Sequence, residues 1–78
     1  MSKMIKIENI YIGYPESLYS AKDIQKDVYL SQMVVNVNDL PPIKVIKLSD
    51  NEFSLSDGYH RISIFKYLNK RQIKCEVL

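Results

Sequence analysis

Apolar and polar residues alternate over Met4-Ile5-Lys6-Ile7-Glu8, the period-two pattern of a strand with one buried face. Asn9 interrupts the run, and Ile10-Tyr11-Ile12 is expected to continue it beyond a kink. Gly13-Tyr14-Pro15-Glu16 carries turn chemistry. The spacing then lengthens. Ser20-Ala21-Lys22-Asp23 has the form of a capping box, with Asp in place of the better Glu or Gln. A helix is predicted from Ala21 to about Val35, with Ile24, Val28 and Leu30 to Val34 on its apolar side. Val34 and Val35, followed by Asn36 and Asn38, are poor helix formers, and fraying is expected there. Asn38-Asp39-Leu40-Pro41-Pro42 is a stop, because proline lacks an N–H and drives its predecessor to extended geometry.

The second half repeats the scheme. Ile43-Lys44-Val45-Ile46-Lys47-Leu48 reads as a strand, Ser49 to Glu52 as a tight turn, and Phe53-Ser54-Leu55 as the returning strand of an antiparallel hairpin. From Tyr59 to Leu68 the period is helical: Ile62, Phe65 and Leu68 recur every three residues, and Ile64 joins Leu68 at four. Asn69 is a suitable left-handed terminator. Ile73, Cys75 and Val77 alternate with Lys74 and Glu76 in a final strand. The order β-α-β-β-α-β implies an α+β fold, a small mixed sheet carrying helices, with residues 1–78 forming one domain.

Composition adds bounds. Of 78 residues, 46% are hydrophobic and 26% charged, the balance of a soluble globular protein rather than a disordered one. The formal net charge of +2 is modest for a polyanion-binding chain. Lys66, Lys70, Arg71 and Lys74 form the one local cationic excess and are read as solvating a helix end and the following strand. A single cysteine, Cys75, forbids an internal disulfide and suggests a reducing compartment, hence a cytoplasmic location. No apolar run approaches the ~20 residues that span a bilayer, and the start lacks a secretory hydrophobic region. No membrane association is expected.

The candidate chemistry lies at one strand-to-helix corner, Asp57-Gly58-Tyr59-His60-Arg61-Ile62. Glycine permits a sharp turn, and the first N–H groups of the helix have no intrahelical acceptor. With Arg61 as a fixed cation and His60 as a titratable donor, the corner is a socket for a phosphate-bearing ligand. His60 and Asp57 are the candidate catalytic acid and base. Gly58, Tyr59, His60, Arg61 and Ile62 are the candidate phosphate- or nucleotide-binding residues. No set of metal ligands is assigned.

Over most of its length, and most strongly from Leu40 onward, the chain resembles the ParB/sulfiredoxin-like superfamily. The resemblance rests on Leu40-Pro41-Pro42-Ile43-Lys44-Val45, a hairpin, Asp57-Gly58-Tyr59-His60-Arg61, a helix, and Ile73-Lys74-Cys75-Glu76-Val77. It implies a nucleotide- or phosphate-binding fold, with phosphates at Gly58-Tyr59-His60-Arg61. ATP or CTP would be the ligand and Mg2+ a companion ion. ATPase, CTPase or kinase-like phosphoryl transfer is the implied chemistry. Two departures narrow it. Sulfiredoxins carry their reactive cysteine at the position of Tyr59, and partition-type domains have Gly-Glu-Arg-Arg where this chain has Gly-Tyr-His-Arg.

Plainer readings stand beside these. Gly58 can serve simply to close a turn, Asp57 to cap the helix, and Arg61 to pair with Asp57 or Glu52. Tyr59 can stack on a base or pack on the surface. Cys75, in phase with Ile73 and Val77, reads as a buried apolar residue. Tyr11, Tyr14, Tyr19 and Tyr29 are expected to be mostly half-buried with wet hydroxyls. Two alternatives to a nucleotide-binding domain follow: an inactive interaction or regulatory module with a protein partner, and a DNA-associated ParB-like nuclease.

Overall fold

A computed structural model describes residues 2–78. Five strands, β1 (Ser2–Lys6), β2 (Ile10–Tyr11), β3 (Ile43–Ser49), β4 (Glu52–Asp57) and β5 (Gln72–Val77), form one sheet in the order β1-β5-β3-β4-β2. The β1–β5 and β3–β4 pairs are antiparallel, whereas β3–β5 and β2–β4 are parallel. The sheet is therefore mixed, as the element order implies. Three helices accompany it: α1 (Ala21–Lys26), α2 (Val28–Val35) and α3 (Tyr59–Tyr67).

Register follows the alternation of side chains. Ile5 lies opposite Ile73, Ile43 opposite Cys75, Val45 opposite Leu55, and Ile10 opposite Phe53, so every strand turns its buried residues to one face. These residues and Ile62 of α3 make one core cluster. Each such side chain contributes about 1.5–3 kcal/mol when fully buried. The opposite face is open, leaving Met4, Ile46 and Leu48 exposed.

The helix predicted to run from Ala21 to Val35 is broken. Asp27 adopts extended geometry (φ −91°, ψ 119°), and its Oδ1 accepts from the N–H groups of Tyr29 at 2.8 Å and Leu30 at 3.2 Å. It thus ends α1 and caps α2, a role that suits aspartate. The expected capping box at the start of α1 is present: Ser20 Oγ accepts from Asp23 N at 3.2 Å, and Ser20 N donates to Asp23 Oδ2 at 3.4 Å. The break lets α1 and α2 present Ile24 and Leu30 together to Ile64 of α3, forming a second core cluster.

The helix α3 is consequently enclosed on two sides. Ile62 faces the sheet and Ile64 faces α1 and α2, and both are fully buried. Its far end closes as anticipated. Asn69 is left-handed (φ 57°), and the bonds Lys70 N to Phe65 O and Asn69 N to Lys66 O, both 3.0 Å, form a Schellman motif. Its near end depends on Gly58, which has φ +115° and packs against Ile43. A Cβ there would lie 2.5 Å from Ile43 Cγ2 and 2.8 Å from Ile43 Cβ. Replacing Gly58 by alanine is therefore expected to lower stability by about 3 kcal/mol, combining backbone strain with an overlap inside the core. The urea denaturation midpoint reads this directly, and an unchanged midpoint contradicts it.

Candidate functional site

Strand β4 runs to Asp57, Gly58 reverses the backbone, and α3 begins at Tyr59. The first intrahelical bond is Ile62 N to Gly58 O at 2.9 Å. The N–H groups of Tyr59, His60 and Arg61 precede it and have no intrahelical acceptor. No side chain caps them, and no acidic residue occupies the first turn. Asp57, read from sequence as a candidate cap, does not serve as one. It is the last strand residue, with left-handed Gly58 between it and the helix, and its carboxylate turns instead to Arg61.

Arg61 is committed to the protein itself. Its Nη1 donates to Pro42 O at 2.7 Å and to Pro41 O at 3.3 Å, while Nη2 lies 3.4 Å from Asp57 Oδ2. The Arg61 side chain is 18% exposed, against 67% for that of its aspartate partner. The planar fork thus spans two elements and holds the Pro-Pro segment against the start of α3. The expectation of a free cation awaiting an anion gives way to a brace built into the corner. The same ion pair relieves the unfavourable placing of a cation at a helix entrance.

His60 and Asp57, the candidate acid–base pair, are not joined. The imidazole Nε2 of His60 instead meets the hydroxyl of Tyr19 at 3.1 Å, with ring centroids 4.8 Å apart. Ile62 has its N–H bonded to Gly58 and its side chain in the core, so neither faces outward. Tyr59 is half-buried and packs against the sheet cluster.

Two residues at this corner carry roles that were not assigned from sequence. Among the described residues Ser63 is the one buried polar side chain: its Oγ accepts from Tyr19 N at 3.0 Å and donates to Tyr59 O at 2.7 Å. Tyr19 thereby fixes the segment before α1 to the first turns of α3 and presents its hydroxyl to His60. A polar residue between Ile62 and Ile64 in a helix was a readable signal; Tyr19 offered none. The other early tyrosines depart from expectation, since Tyr11, Tyr14 and Tyr29 are exposed rather than half-buried.

Cys75 is fully buried on β5, and burial pushes its thiol up to about 11, partly countered by the positive charge of Lys3. A thiolate nucleophile at neutral pH is thus disfavoured at this position.

Two measurements test this arrangement. Arg61→Ala is expected to lose about 2 kcal/mol of folding stability in urea denaturation, because the half-buried Pro42 carbonyl and the Asp57 carboxylate lose a charged donor. The thiol of folded Cys75 keeps its proton up to about 11, whereas an ordinary thiol releases it near 9.0. The resulting stabilisation is complete below pH 9 and is lost as pH rises toward 11, by at most about 3 kcal/mol. Thermal melts from pH 8 to 11 should therefore fall more steeply for wild type than for Cys75→Ala, and parallel curves refute the assignment.

No protein-family model matches this chain, and no curated protein matches it in sequence. Among solved structures it is similar to sulfiredoxin from Arabidopsis thaliana, with a TM-score of 0.66 and 19% identity over 100% of this chain and 84% of that one. The overlay gives this chain, a small α+β domain with a mixed five-stranded sheet, a sulfiredoxin-like fold.

Proposed function

We propose that this chain is a nucleotide- or phosphate-binding domain whose ligand rests its phosphate on the N–H groups of Tyr59, His60 and Arg61. One observation carries this reading: the first turn of α3 has neither a capping side chain nor an acidic residue, so its dipole end is left for an external anion. Gly58 contributes by reversing the backbone at positive φ, so that α3 starts directly at Tyr59. His60, exposed at the rim and oriented by Tyr19, supplies a further donor and a titratable group. Arg61 adds positive charge to the field while its hydrogen bonds shape the loop.

Among the described residues no group of three His, Cys, Asp or Glu comes together as a metal site. Mg2+ accompanying ATP or CTP would be held by phosphate oxygens and water, with Asp57 the carboxylate adjoining the loop. That fits the habit of this ion, which uses few protein ligands. Any phosphoryl transfer would rest on positioning and charge stabilisation, with His60 the group able to move a proton, rather than on a covalent thiol.

A second reading, an interaction module without chemistry, is favoured by a specific observation. Arg61 is spent on Pro41, Pro42 and Asp57, and His60 has no carboxylate partner. A nuclease or DNA-associated role finds support neither in the donor set nor in the modest net charge.

The variant His60→Glu separates the first two readings. A carboxylate in the first turn suits the helix dipole and should leave stability unchanged or slightly raised. It should weaken ATP, ADP or CTP binding about tenfold or more, since it places a negative charge against the phosphates. Titration calorimetry on both proteins decides the matter: equal, weak binding by both removes the nucleotide reading.

A further inference from the structure

The cationic cluster read from sequence as helix-end solvation has a different geometry in three dimensions. An open cleft of about 1090 Å³ lies at the far end of α3, lined by Lys66 and Lys70, by Arg71 of the following turn, and by Lys6 of β1. Glu8 is the only acidic residue lining it. Ile7 N donates to Arg71 O at 2.9 Å, tying the turn after β1 to the loop before β5 and fixing the two walls relative to each other. Among the described residues none of the four cations is in an ion pair; the two pairs present are Lys47–Asp50 and Arg61–Asp57.

Helix-end solvation accounts for part of this. Lys66 and Lys70 suit the negative end of the α3 dipole. It does not account for Lys6 and Arg71, which reach the same cleft from other elements. The concentration is also disproportionate: four cations against one carboxylate line this cleft in a chain of net charge +2, so the remainder of the molecule is net negative. Such a cleft focuses positive potential at one place on the surface.

We propose that this cleft binds an acidic, extended segment of a protein partner. Nucleic acid fits it less well. None of the lining residues is aromatic, so unstacked bases find no platform. Glu8 stands among the cations, where a peptide offers N–H donors that a phosphodiester backbone lacks. Met4 and Ile7 give the walls apolar stretches suited to side chains interspersed between carboxylates. The site is separate from the phosphate loop, since α3, nine residues long, places its two ends about 12 Å apart.

The test uses a fluorescent dodecapeptide of Asp and Glu interspersed with Leu, a mixed-sequence RNA dodecamer, and anisotropy titration of the full chain. Wild type is expected to bind the peptide saturably and more tightly than the RNA. The double variant Lys70→Glu/Arg71→Glu should weaken peptide binding about tenfold or more. Lys22→Glu/Lys44→Glu, with the same change in total charge at positions outside the cleft, should change it by no more than about twofold. All four side chains are exposed, so the fold should persist, and circular dichroism verifies it. Equal losses in the two double variants, tighter binding of RNA, or no saturable binding would each overturn the proposal. His60→Glu should leave peptide binding intact, so this result is independent of the nucleotide reading.

Discussion

The contact between Gly58 and Ile43 is the constraint on which the remaining architecture hangs. A helix can leave the end of β4 and cross the mouth of β3 only if the residue just before it has no Cβ, because that atom would overlap the isoleucine at the start of β3. The same residue must reverse the backbone at positive φ, which again favours glycine. One position therefore satisfies two demands, one steric and one conformational. The exposed amide end of α3 and the Arg61 brace are both placed by it.

Once α3 is seated, the rest of the molecule is organised around its two faces. The sheet buries Ile62 and its neighbours on one side, and the α1–α2 elbow buries Ile64 on the other. Ser63 lies between them and is buried, yet it is hydrogen-bonded in both directions, and among the described residues no buried side-chain N or O atom lacks a partner. That arrangement gives the first turn of α3 a firm foundation. The Tyr19–Ser63 bond ties the segment before α1 to it, and Arg61 ties the Pro41-Pro42 segment to it. Preorganisation of this kind is what an anion-binding corner requires, and an interaction surface benefits equally.

Much of this was legible in the chain. The Pro-Pro stop, the Gly58 corner and the Asn69 terminator are local signals with local physical causes, and each appears where the residues place it. The first strand instead ends at Lys6, Ile7–Asn9 forms a 3-10 turn, and Ile10–Tyr11 pairs with β4 at the far edge rather than continuing β1. The misreadings have a common origin. The break at Asp27 within the stretch expected to be one helix was missed, because its capping role depends on α1 and α2 folding back over Ile64. Asp57 and His60 looked like partners because they are near in sequence, but Gly58 turns one toward Arg61 and leaves the other to Tyr19, 41 residues away. The pairing of Arg61 with Asp57 was among the plainer readings, but its bonds to the Pro41 and Pro42 carbonyls were not, since backbone acceptors leave no residue pattern. Sequence spacing conveys which groups are available; the tertiary fold decides which are already taken.

The sheet's two margins carry a consequence of their own. One margin is β2, only two residues long; the other is β1, which carries Lys3 and Lys6. A stub offers too few main-chain groups to template an incoming chain, and lysines make docking of a like strand electrostatically costly. Fibril-like growth by strand addition is thus discouraged at both borders, so the native molecule can leave one sheet face uncovered without inviting stacking through its edges.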